Sequence, residues 1–137
     1  MDFESGLEPD MQPNLDQFLL ARIAEDKRIA TDAATASGRE EWEAADLPGS
    51  GSPHDPAAEH VVRHDPARVL AECTARRRMV MACRDIGPDR AFLGARPEGL
   101  ADFPLPPTDQ HQLAALTLGL LALPYAGHPE YRPEWRP

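Results

Sequence analysis

One stretch limits what this chain can fold into more than any other. Asp65-Pro66 opens a run of good helix formers that continues to Asp85. The aspartate carboxylate can accept from the first free amides of a helix. Proline fits the first helical position, where its missing N–H is not needed. The run therefore reads as the central helix of an all-α domain. At ~100° per residue, Val69, Leu70, Cys73, Val80 and Met81 share one face. Arg77 falls inside that apolar stripe. An arginine there either extends its charge to water or meets a carboxylate from another helix.

The remaining helices follow from spacing and punctuation. Asn14 is a candidate cap, and Leu15, Phe18, Leu19, Ile23 and Ala30 recur at helical intervals, so a helix is expected over about 15–36, ended by Ser37-Gly38. Asp26 projects from the apolar side of this helix, near Leu19 and Ile23. The expectation is a helix 15–36 packed on helix 66–85, with Asp26 and Arg77 as a buried ion pair. Residues 39–46 can form one more turn holding Trp42, and 47–53 is a turn-rich connector. His54-Asp55-Pro56-Ala57 recurs as His64-Asp65-Pro66-Ala67, the same cap used twice, so a short helix over about 56–63 should lead into the long one. Residues 85–107, rich in glycine and proline, read as a long surface loop pinned by Phe92, Leu93 and Phe103. Thr108 then caps a helix over about 109–122, with Leu113, Leu116, Leu120 and Leu123 as its packing stripe. Leu118 and Leu121 lie on the other face, so this helix should be nearly buried or lie at an oligomer contact.

Residues 1–13 read as a flexible acidic lead, and 14–137 as a single helical domain. In the tail, prolines 124, 129, 133 and 137 impose an extended or turn-like course. Tyr125, Tyr131 and Trp135 make it packing material rather than disordered chain, so residues 124–137 should lie back on the helices. The fold expected is thus three main helices, one short helix, a long Pro/Gly-rich loop and an extended, packed C-terminal tail.

Charge and residue usage narrow the function. Net charge is −9, with −10 carried by residues 1–59 and +1 by residues 60–137. That total argues against general nucleic-acid binding, although a local basic surface is compatible with it. One lysine against thirteen arginines, with abundant Ala, Pro and Gly, suggests a high-GC coding genome. The N-terminus lacks an apolar stretch of signal-peptide type, and the longest apolar run, 113–126, falls short of the ~20 residues of a membrane span. Cys73 and Cys83 are ten residues apart on one helix, about 15 Å of rise, too far for a disulfide. Reduced thiols and a cytoplasmic location are expected.

Two stretches together resemble a known family: Glu59 to Glu72 (EHVVRHDPARVLAE) and Leu120 to Trp135 (LLALPYAGHPEYRPEW). They are similar to an uncharacterised family of actinobacteria and their phages, catalogued as domain of unknown function 6221. The opening 15–34, with Leu-Leu-Ala-Arg at 19–22 and Glu-Asp at 25–26, is also similar. The similarity departs after Trp42, where a longer, strand-prone insert is replaced by the short, glycine-rich 46–53, leaving open whether a strand pair forms there. The resemblance implies no activity, cofactor or catalytic residue.

Candidate chemistry is sparse. His60 and His64 are spaced i, i+4, which can turn two imidazoles to one metal, but no glutamate lies between them and Asp65-Pro66 interrupts the helix. They read better as cap or interface histidines, and no metal or other cofactor is expected. Nothing near Cys73 or Cys83 activates a thiol, and no phosphate loop or nucleophile elbow is present. The expected role is a non-enzymatic protein-interaction or accessory protein of an actinobacterium or its phage, contacting a partner or itself through Leu118, Leu121, Tyr131 and Trp135. The alternatives are a nucleic-acid-associated regulator using the Arg76–Arg84 face, and thirdly a metal protein or enzyme.

Overall fold

The computed structural model describes residues 14–47, 55–87 and 107–137. Four α-helices follow in order: α1 (Leu15–Ser37), α2 (Pro56–Arg63), α3 (Pro66–Ile86) and α4 (Pro107–Ala122). Single 3-10 turns lie at Ala44–Asp46, Leu123–Tyr125 and Pro133–Trp135. The class is all-α, and among the described residues no strand forms, at Trp42 or elsewhere. The expected acidic lead 1–13 and most of the 85–107 loop, including Phe92, Leu93 and Phe103, lie outside the described residues.

The caps follow sequence logic. At the start of α1 the Asn14 carbonyl accepts from Phe18 N at 2.8 Å, while Gln17 Oε1 accepts from Asn14 N at 3.0 Å. Asp55 Oδ1 accepts from Ala57 N at 3.0 Å and opens α2 at Pro56. Helix α4 begins at Pro107, one residue before Thr108, where its start was expected. Gly38 and Gly87 follow α1 and α3 with φ of +80° and +92°, the left-handed conformation that ends helices and that side chains resist.

The chain groups into two compact units, Met1–Arg22 with Arg78–Pro137, and Ile23–Arg77. Helices α1 and α3 contribute residues to both. In the first unit Leu15, Phe18, Leu19, Val80, Cys83, Ala114, Ala115, Leu118, Ala122 and Trp135 are buried. Here α4 corrects the expected leucine stripe. Leu113 and Leu120 are exposed, whereas Leu118 is fully buried between Ala114, Ala115 and Ala122. A 3.6-residue period cannot choose between two leucine-bearing faces. Close packing chooses the face with small residues, because alanine lets a neighbouring element approach and leaves room for one large side chain.

The tail of this unit closes around Phe18. Its ring is 5.1 Å from Trp135, 5.5 Å from His128, 6.0 Å from Tyr131 and 6.4 Å from Tyr125, centroid to centroid. Most of these pairs are edge-on, the arrangement favoured by the ring quadrupoles. Backbone bonds from His128 N to Tyr125 O and from Tyr131 N to His128 O hold the prolines' turns in place. Arg22 Nη1 donates to His128 Nε2 and its guanidinium sits 5.5 Å from the Phe18 centroid. Glu130 N also approaches His128, at Nδ1 and 3.0 Å. A neutral imidazole has one acceptor nitrogen, so the ring accepts from one of these donors at a time.

In the second unit Ile23, Ala30, Ala58 and Cys73 are buried. Asp65 is its main tether. Oδ1 accepts from Arg68 N at 3.0 Å as the α3 cap, and Oδ2 accepts from Trp42 N at 3.1 Å. Ala67 N donates to Glu40 O at 2.9 Å, so the 39–43 connector is held on the start of α3 by two bonds. Asp65→Ala should therefore cost about 2–3 kcal/mol, a cap plus a part-buried amide left without its acceptor. Asp55→Ala, which loses only a cap, should cost about 1 kcal/mol. Urea denaturation of the two variants distinguishes these values, and equal losses would show that the Trp42 bond contributes nothing.

Candidate functional site

Among the concavities of the second unit, a cleft of about 340 Å³ draws on both long helices and the connector, while another of about 450 Å³ lies along α2, lined by Ala58, Glu59, Val62 and Arg63. From α1 the first takes Asp26, Ile29, Ala30 and Ala33; from the connector, Trp42; from the start and middle of α3, Pro66, Val69, Glu72 and Arg76, with His64 just before. Its surface is mainly apolar, as expected where the smooth Ala30/Ala33 side of α1 faces Val69 and the proline of α3. Ile29 at this cleft is 53% exposed. Trp42 is half-buried, and its indole N–H is already engaged, donating to Ser37 Oγ at 3.0 Å and to Arg39 O at 3.2 Å. The ring therefore offers the cleft a fixed apolar surface rather than a donor. Trp42 also borders a larger cavity, of about 790 Å³, with Arg39, Glu41, Glu43, Asp65, Ala67 and Arg68.

The polar rim is partly self-neutralised. Glu72 accepts from Arg68 Nε at 3.3 Å and faces Arg76 Nη2 at 3.8 Å. These groups are a third or more exposed, so each pair is worth under about 1 kcal/mol and serves to position side chains. Asp46 pairs with Arg39 at 3.2 Å. Glu40, Glu41 and Glu43 are exposed, and none of them takes part in a described ion pair.

The residues singled out from sequence are placed as follows. Asp26 is half-buried and lines the cleft, but Arg77 is exposed, so the buried setting expected for an Asp26–Arg77 pair is absent. It is the half-buried Arg76 that shares the cleft with Asp26. The reason is register: Pro66, Val69, Cys73, Val80 and Cys83 form the inward line of α3, and Arg76 continues its three- and four-residue steps where Arg77 sits at the edge. Arg76 is accordingly drawn off the basic face expected over Arg76–Arg84. Leu118 and Trp135, expected on an interaction surface, are 0% and 3% exposed and belong to the core; Leu121 and Tyr131 are half-buried.

His60 and His64 do lie side by side, exposed, with ring centroids 4.7 Å apart. Among the described residues no group of three or more His, Cys, Asp or Glu side chains is placed to hold a metal. His111 instead bonds Gly87 O, and His128 bonds Arg22.

Cys73 and Cys83 are free, buried thiols. Burial holds both above the ordinary thiol value, with the Asp26 carboxylate adding to the effect at Cys73. A thiol raised in this way binds its proton more tightly folded than unfolded. The associated stability is complete below the unfolded thiol's value of about 8.5 and is lost as pH rises through the folded one. Urea midpoints should thus fall on the alkaline side, and less so in a Cys73→Ala/Cys83→Ala variant. A neutral-pH thiol reagent should label neither cysteine until the protein unfolds.

Sequence reasoning missed Trp42 as the wall of a cleft. The available signal was a lone tryptophan set among glutamates, Glu40-Glu41-Trp42-Glu43, in a connector with no core to fill. Among the described residues, no helix is long and apolar enough to cross a membrane. No curated protein and no solved structure matches the chain. A family model described as a family of unknown function, DUF6221, matches residues 12–137, nearly the whole chain and both of the motifs quoted above, and the chain therefore belongs to the DUF6221 family.

Proposed function

We propose that this protein is a non-enzymatic interaction module that holds another protein by a side chain inserted into the Trp42 cleft. One observation carries the reading: a preformed, mainly apolar concavity with a half-buried tryptophan whose polar atom is already satisfied and an exposed Ile29 at its edge. Such a site binds by apolar area, and fixed aromatic walls are typical of the anchors that dominate protein contacts. The chemistry of an enzyme is poorly supported, since the cleft's His64, Asp26 and Glu72 stand beside no activated nucleophile. A cytoplasmic accessory role in a high-GC actinobacterium or its phage accords with the free thiols and the arginine-rich, lysine-poor sequence.

The test is site-directed. A photo-crosslinking amino acid placed at Ile29, in cells of the native host, should give discrete protein adducts. Excess unlabelled wild-type protein should compete them away, and the Trp42→Ala variant should not. Adducts only to nucleic acid would favour the regulator reading through exposed arginines such as Arg77. No competed adduct would reject the cleft as a binding site.

A further inference from the structure

We infer that this chain pairs with a second copy of itself through the outward face of α4, the two α4 helices running antiparallel about a two-fold axis. The face lies wholly in the first unit and shares no residue with the Trp42 cleft. From Leu113 to Ala126 the chain carries no charged residue. A helix with one face in water normally turns charged and polar side chains to it. Here the buried line is Ala114, Ala115, Leu118 and Ala122. The opposite side carries Leu113, Leu116, Leu120 and, just past the helix end, Leu123. At ~100° per residue, each lies within about 40° of the point diametrically opposite Leu118. Leu120 is 52% exposed and Leu113 38%, with Leu116 and Leu123 half-buried.

Spacing identifies the occupant. Steps of three, four and three residues are those by which one helix packs into the side of another. The order is also a palindrome. Turned antiparallel about an axis midway between Leu116 and Leu120, the strip sets Leu113 against Leu123 of the second copy and Leu116 against its Leu120. Every leucine meets a leucine, and a two-fold contact needs such a patch, complementary to itself. The area is adequate as well. In this unit His111 bonds Gly87 O and Thr117 is hydrogen-bonded to Cys83, so α4 runs back along α3. Met79 and Ile86 lie within about 60° of Cys83 around α3, and Leu113 and Leu120 within about 60° of Thr117 around α4. All four are exposed, so they border that contact from the solvent side. Each 38% to 52% exposed, they present on the order of 350 Å² of apolar surface, the size of a functional patch on a monomer. Two copies face to face bury twice that before Leu116, Leu123 and the rim are added, which brings the contact to the ~1,000 Å² of a specific interface. The lack of charge on the strip favours a self-contact on a chain of net −9, since like charges across it would repel.

Sedimentation equilibrium of the full chain should show monomer and dimer in a concentration-dependent balance. Leu120→Glu, which sets a carboxylate from each copy beside the axis, should weaken the dimer at least about thirtyfold, the loss expected at a central apolar contact. Val61→Glu, the same change at an exposed apolar residue of α2, should leave it unaltered. Leu120 lies outside the core of the single chain, so its variant keeps the fold, which circular dichroism verifies. Oxidation of mixed chains tests the direction of pairing. Leu113→Cys chains mixed with Leu123→Cys chains should form a disulfide-linked pair. Leu113→Cys alone should not, its two sulfurs lying about 15 Å apart along the helices. The native Cys73 and Cys83 are buried and take no part. Should Leu120→Glu fail to fold, the cysteine chains decide in its place, since they introduce no charge. A monomer at every concentration would overturn the pairing. So would a dimer untouched by folded Leu120→Glu, a dimer broken by Val61→Glu, or linkage of Leu113→Cys to itself and not to Leu123→Cys.

Discussion

Removal of residues 124–137 should leave a protein without a stable first unit. The truncation deletes Tyr125, His128, Tyr131 and Trp135, four rings within 6.4 Å of Phe18. Trp135 alone is 3% exposed, and loss of one buried large aromatic costs about 3–5 kcal/mol. Small domains have only about 5–15 kcal/mol of stability in total. The cut also uncovers Phe18, Leu15 and Leu19, which are each 1% exposed in the whole chain. The expected result is a large fall in melting temperature, loss of near-ultraviolet circular dichroism and binding of a hydrophobic dye, with much of the helical signal retained. An unchanged melt would mean that the tail is held only weakly and is available to partners.

Phe18→Ala should destabilise the protein by about 3–5 kcal/mol, the largest effect of any single substitution considered. Phe18 is fully buried and is the ring on which the tail converges, so its loss leaves a cavity walled by side chains from distant parts of the sequence. It also removes the face over which the Arg22 guanidinium lies. Trp135→Ala should be of similar size. The two side chains touch, so the double variant should cost less than their sum, with a coupling on the order of 0.5–3 kcal/mol by urea denaturation. Strict additivity would show that the rings are merely neighbours. Leu113→Ala, on the exposed side of α4, should by contrast lie within about 0.5 kcal/mol of wild type.

Membership of a family without assigned activity shifts the functional argument wholly onto geometry. There the two concavities around Trp42 matter more than the leucines first suspected. The partner-binding surface expected from Leu118 and Trp135 has been consumed by the core. The residues left at the cleft, Trp42 and Ile29 above all, lie outside any periodic pattern, so composition and spacing could not rank them.

Local chemistry alone determined much of this protein. The Asp-Pro pairs located the starts of α2 and α3, because a carboxylate cap and a proline at the first helical position act within four residues. Glycine at 38 and 87 marked helix ends for an equally local reason, backbone freedom at positive φ. The aromatic tail was legible as packing material, since prolines forbid a helix and three large rings are poorly left in water. Orientation was not legible. Which leucines of α4 turn inward, whether Arg76 or Arg77 reaches the cleft, and which ring the tail meets all depend on the rotation of one element against another. A rotation of about 100° exchanges adjacent residues on a helix face, a choice that propensity and hydrophobic period leave nearly degenerate. Side-chain volume, hydrogen bonds such as Asp65 to Trp42, and the close approach permitted by alanine break that tie, and they exist only once the chain has folded.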